Sequence, residues 1–129
     1  MKIIIETIDH CSQRDPDAIG DWHIEKDNCI VVRVSKMDDP ISELAVAIHE
    51  LQEAFLCWRK GVSEEEVNLF DFRWAENFKN KLTQSDEPGG EPDAPYHWEH
   101  QASNQTENTF VLSCGMSLKE HDRNCENPI

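Results

Sequence analysis

The chain has 129 residues, 38% of them hydrophobic, and a formal net charge of -14. That length holds one domain with a real core and excludes two comfortable ones. So acidic a surface repels phosphate backbones, which argues against direct nucleic-acid binding; it suits divalent cations, basic protein partners, or a protein that imitates the charge of DNA.

The N-terminal "MKIIIETIDH" has too short an apolar run for a signal peptide or a membrane span, so a cytoplasmic protein is expected. Its β-branched residues predict a first strand. "SQRDPDAIGD" reads as a connection. "WHIEKDNCIVVRVS" reads as two strands around a turn at Lys26-Asp27-Asn28. Alternation places Ile30, Val32 and Val34 on one face, with Val31 and Arg33 on the other. Residues 1–36 are therefore assigned to strands and a hairpin.

Residues 40–60 carry the strongest helical signal. Asp39 can cap the helix, Pro40 suits its first turn, and Gly61 follows a basic last turn. Leu44, Ile48, Leu51, Phe55 and Trp58 form an apolar stripe, and Val46, His49, Glu53 and Cys57 the stripe beside it. A second helix over 63–82 opens with a capping box from Ser63 to Glu66, and buries Val67, Phe70, Trp74 and Phe78 with Asp71 beside them. The acidic segment 84–94, rich in Pro and Gly, is expected to be a mobile loop too polar to pack. A third helix over 95–116 puts His97 and His100 on one face with Asn104, while Trp98 can face the core. The tail holds at most one short helical turn. The expected fold is α+β, a single domain over 1–129 with a small antiparallel sheet of about three strands and about three helices packed on it.

Five cysteines, Cys11, Cys29, Cys57, Cys114 and Cys125, form no C-x-x-C pair, so neither a disulfide framework nor a zinc ribbon is implied. Cys57 and Cys114 are read as small core residues, and the four Trp residues as core. His10, His23 and His121 show no partner in the sequence.

The segment "AVAIHELQEAFLCW" sets an imidazole and two carboxylates in an apolar helix, where a charge must be paired or bound to a cation. Two imidazoles one turn apart with an intervening Glu, H-E-x-x-H, mark a zinc site. Here Glu53 stands where the second His would be. His49 and Glu53 can still share an ion, and a site between helices draws ligands from more than one of them. His100 is the expected third ligand, and Asp71 the fourth ligand or the group that orients the others. Three protein ligands leave a position open for water, as catalytic sites do. Glu50 is then the candidate general base. The bland alternative is a His–Glu pair at the edge of the core, with Glu50 solvated and His97 and His100 an exposed pair on a wet helix face; for His97 that is the expected reading.

The string "LAVAIHELQEAFLCWRKGVSEEEVNLFD", followed by "DEPGGEPDAPYHWEH", resembles small, functionally uncharacterised proteins encoded by bacteriophages and prophages. Those share an H-E-L-x-E-A helix, an S-E-E-x-V-x-x-F-D segment, a Pro-Gly-Asp loop and A-P-Y-x-x-E-H. The likeness runs from about Ala45 to His100. By that resemblance His49, Glu50, Glu53, Asp71, Glu99 and His100 belong together, with no activity attached. A looser likeness to zincin metalloproteases lies in the sheet followed by an H-E helix, without the second His or a later zincin signature. The expected function is metal binding, zinc first with manganese or magnesium as alternatives, and hydrolysis by a metal-activated water. Peptide, nucleotide and phosphoester substrates all fit that reading. The rival expectation is a non-enzymatic acidic inhibitor or DNA mimic that binds a host protein.

Overall fold

Three β-rich stretches become three strands, β1 (Lys2–Ile8), β2 (Gly20–Glu25) and β3 (Cys29–Ser35). The computed structural model describes all residues from Met1 to Ile129. Strands β2 and β3 form an antiparallel hairpin, with Trp22 opposite Val32. Its turn places Asp27 and Asn28 at positive φ, 63° and 55°, a conformation these two residue types tolerate better than most.

The sheet order is β1-β3-β2, and β1 pairs with β3 in parallel. The α+β class stands, but the sheet is mixed rather than antiparallel. Strand β3 is the most apolar of the three, and taking the centre gives it a neighbour on each side. Its Ile30, Val32 and Val34 are buried, as alternation requires. Val31, expected on the outer face, is buried too, flanked there by Ile4 of β1 and His23 of β2.

Helix α1 (Pro40–Lys60) lies across β3 and β2. The Asp39 carboxylate accepts from the Ile41 N–H at 2.8 Å, and Gly61 ends the helix at φ 83°. The fully apolar stripe is not the buried one: Leu44 and Trp58 are exposed, whereas Ser42, Val46, His49, Glu53 and Cys57 are buried. Helix α2 (Glu64–Lys79) buries only Val67, with Trp74 half-buried and Phe78 exposed. Helix α3 (His97–Ser113) packs along α1, and α4 (Leu118–Glu126) docks on both. The tail is thus a nine-residue helix rather than one turn.

Several expected core residues lie elsewhere. Trp98 is 73% exposed, Cys114 is exposed, and of the four tryptophans only Trp22 is buried. Cys57 is buried, and burial pushes its thiol up to about 12. The acidic segment packs: a short turn at Pro88–Gly90 lies against α2 and α3, and Gly89, Glu91 and Ala94 are buried. Glu91 is held there because its Oε1 accepts from the backbone N–H groups of Gln84 and Ser85. No helix is long and apolar enough to cross a membrane.

Candidate metal centre

Helix α1 presents His49 and Glu53 one turn apart toward α3, which returns His100 across the helix–helix seam. One nitrogen or oxygen from each of the three residues lies within 4.8 Å of the others. Glu53 Oε2 is the shared corner, 3.3 Å from His49 Nε2 and 2.8 Å from His100 Nδ1. Ligands at about 2.0–2.1 Å around a tetrahedral ion sit a little over 3 Å apart. The Glu53–His49 edge already has that length, and the Glu53–His100 contact would open slightly for the set to surround one.

Each of these side chains is held from behind. Glu53 Oε1 accepts from the indole Nε1–H of Trp22 at 3.0 Å. His100 Nε2 lies 3.0 Å from Glu87 Oε1. His49 Nδ1 lies 2.8 Å from Glu107 Oε1, an ion-pair distance without the angle of a hydrogen bond. Glu107 continues inward to His121 Nε2 at 2.6 Å, and His121 Nδ1 meets Ser42 Oγ at 3.0 Å. A carboxylate behind an imidazole fixes its tautomer and ring plane, the arrangement that orients histidines on metals.

Without a cation the imidazoles themselves supply positive charge. Burial alone would push His49 down, but Glu107 and Glu53 outweigh it and hold the ring up at about 11. His100 is likewise held at about 9, where Glu53 and Glu87 overcome burial. In return Glu53 falls to about 2 against its own burial, through hydrogen bonds from His100 and His49. Glu107 falls to about 2 against its own burial, through the hydrogen bond from His121 and the charge of His49 beside it.

The cluster opens on a cavity of about 1020 Å³ between the sheet edge, α1, α2 and the Pro88–Gly90 turn. Glu50 lines the same cavity, half-buried, and its side chain rests against Gly20, where a Cβ would come within 2.8 Å of Glu50 Cγ. It makes no hydrogen bond or ion pair, and burial pushes its carboxyl up to about 8. Asp71 also lines the cavity but stands outside the three-residue group, accepting a hydrogen bond from the buried Tyr96 hydroxyl. Burial raises Asp71 to about 6, against the pull of that hydrogen bond. Its place is on the cavity wall beside the ligands.

Glu99 of the expected set points elsewhere, and His97, expected on a wet helix face, is engaged by the Pro88–Gly90 turn. Buried Glu99 pairs with Lys60 at 2.8 Å, outside the cluster. His97 Nδ1 lies 3.0 Å from the Gly89 carbonyl, so it fastens the turn rather than facing solvent freely. Four contributors lie outside the expected set: Trp22, Glu87, Glu107 and His121. Glu107 carried a usable signal, since it stands seven residues after His100, two turns on along the same face. His121 stood in a tail too polar to suggest burial, yet it is 1% exposed.

In comparisons with known proteins, no protein family, no curated protein and no solved structure matches the chain.

Proposed function

We propose that the protein is a metal-dependent hydrolase, with His49, Glu53 and His100 holding one divalent cation, zinc in the first instance. The observation that carries the reading is that each of the three side chains has its own orienting partner, Glu107, Trp22 and Glu87 respectively. The donor set of two imidazoles and one carboxylate suits zinc best, and manganese next. A cation bound there supplies a Lewis acid that activates a water and polarises the bond to be cut.

The chain's own residues supply the rest. Glu50 faces the cavity with both oxygens free of protein partners. Burial raises its carboxyl, and a cation held beside it would draw the carboxyl back to the ionised form, in which it could accept a proton from the attacking water and pass it to the leaving group. Asp71 and Tyr96, hydrogen-bonded to each other, line the same cavity and orient the substrate. Trp22 keeps the Glu53 carboxylate turned toward the histidines.

The test is a zinc titration of metal-free protein by calorimetry, paired with an assay against peptide, nucleotide and phosphoester panels. Glu53→Gln and His100→Ala should weaken zinc by more than about 100-fold, beyond the cost of losing an orienting partner. Glu50→Gln should keep zinc and lose turnover. Wild-type protein that takes up no zinc would overturn the reading, as would equal zinc loss in the Glu50 and Glu53 variants. The rival reading, an acidic inhibitor or DNA mimic of a host protein, draws on the -14 charge. It requires full biological effect in folded His49→Ala.

A further inference from the structure

The two open edges of the sheet are treated differently. On β2 the outward N–H of Ile24 donates to Glu64 Oε2 of α2 at 3.2 Å, so α2 lies along that side. That edge is covered. On β1 nothing plays this role. The Lys2 N–H donates to the Asn28 carbonyl, and the Ile8 carbonyl accepts from the Lys36 N–H. With the parallel register of Lys2 on Cys29 through Ile8 on Ser35, residues 2, 4, 6 and 8 spend their peptide groups on β3. Alternation then turns the N–H and C=O groups of Ile3, Ile5 and Thr7 toward the open side. Ile3 and Ile5 are also 48% and 45% exposed, because α1 lies over β3 and β2 and leaves β1 bare.

A seven-residue edge with no proline, no bulge and two exposed isoleucines is a template for another strand. We propose that its occupant is the β1 strand of a second copy of this chain, joined antiparallel about a two-fold axis at Ile4. The sequence Lys2-Ile3-Ile4-Ile5-Glu6 is complementary to itself in that register. Ile3 of one copy faces Ile5 of the other, and both have outward peptide groups, so each such pair exchanges two hydrogen bonds. Ile4 meets Ile4 on the axis. Lys2 faces Glu6 in a non-hydrogen-bonded pair, the geometry that brings opposite side chains closest. Shifting the pairing by two residues either way keeps the hydrogen bonds but sets Lys2 against an isoleucine, Ile4 or Ile8, and loses the Lys2–Glu6 pair. The charges therefore select one register. Lys2 makes no ion pair within the chain, whereas Glu6 already holds Arg33 at 2.7 Å and retains a second oxygen. The product is a continuous six-stranded sheet with an isologous interface.

Analytical ultracentrifugation of the full chain at concentrations up to about 100 µM tests this, since a useful dimer should be populated below that. Wild type is expected to sediment as a dimer. Ile5→Pro should be a folded monomer by circular dichroism, because the N–H it removes points away from β3 and a proline is tolerated there. Lys2→Glu and Glu6→Lys should each weaken the dimer about tenfold or more, and the double variant Lys2→Glu/Glu6→Lys should recover it. A monomeric wild type overturns the proposal. So does a dimer that survives Ile5→Pro, or a double variant no tighter than its parents. None of these outcomes depends on metal.

Discussion

His49 sits between two carboxylates, Glu53 at 3.3 Å and Glu107 at 2.8 Å, while it is only 7% exposed. An imidazole so placed cannot rotate freely, and its position is set by residues distant in sequence. The indole of Trp22 does the same for Glu53, and this gives the sharpest residue-scale test. Trp22→Phe keeps an aromatic ring in the core but deletes the N–H that holds Glu53 Oε1 at 3.0 Å. Zinc affinity should fall by about 10-fold, the lower end of what orienting partners contribute. Calorimetry alongside thermal melting checks it, and unchanged affinity in a folded variant would deny Trp22 that part. His49, Glu53 and His100 were legible from helical spacing, because a buried polar stripe on a strong helix demands partners. Trp22 was not, since a tryptophan in an alternating strand already has an apolar reason to be buried. His121 was hidden for the opposite reason: its neighbours are charged, and burial came from the Glu107 and Ser42 side chains that meet it.

At the scale of elements, two glycines set how closely the parts approach the site. A Cβ on Gly89 would come within 2.4 Å of His100 Cγ, and one on Gly20 within 2.7 Å of Val46 Cγ1 and 2.8 Å of Glu50 Cγ. Neither distance is tolerable, so something must move. Gly89→Ala should displace the His100 ring and weaken zinc by about 10-fold or more, without altering any ligand. Gly20→Ala should disturb Glu50 and leave zinc nearly intact. Similar zinc loss in both would mean the whole seam had shifted. The segment around Gly89 was misjudged because its composition is that of a free loop. What composition does not show is that Glu91 finds backbone donors inside the protein. Helix α1 was legible to its ends because caps are local chemistry. The parallel β1–β3 pairing was not, since a strand's sequence does not name its neighbour.

Taken whole, the molecule has a formal charge of -14, and that alone makes it responsive to cations. Any salt should relieve self-repulsion and raise the melting temperature to some degree. A built site behaves differently, because an ion that binds only the folded state stabilises by RT ln(1 + [L]/Kd). Free zinc at about 100 times its Kd should add about 2.7 kcal/mol, a rise of about 8–10 °C for a domain of this size. In His100→Ala the cavity and nearly all of the surface charge remain, and only the corner that closes the ligand set is gone. Sodium chloride at equal ionic strength should therefore shift wild type and variant alike, whereas zinc should shift wild type alone. The comparison is made by calorimetric melting, with each protein first stripped of metal by a chelator that is then removed. A zinc-induced rise of the same size in His100→Ala would assign the response to the acidic surface, and the three-residue centre would lose its claim on the ion. A rise confined to the wild type, and reversed by chelator, ties folding free energy to the seam between α1 and α3, where the two helices contribute ligands that neither can supply alone.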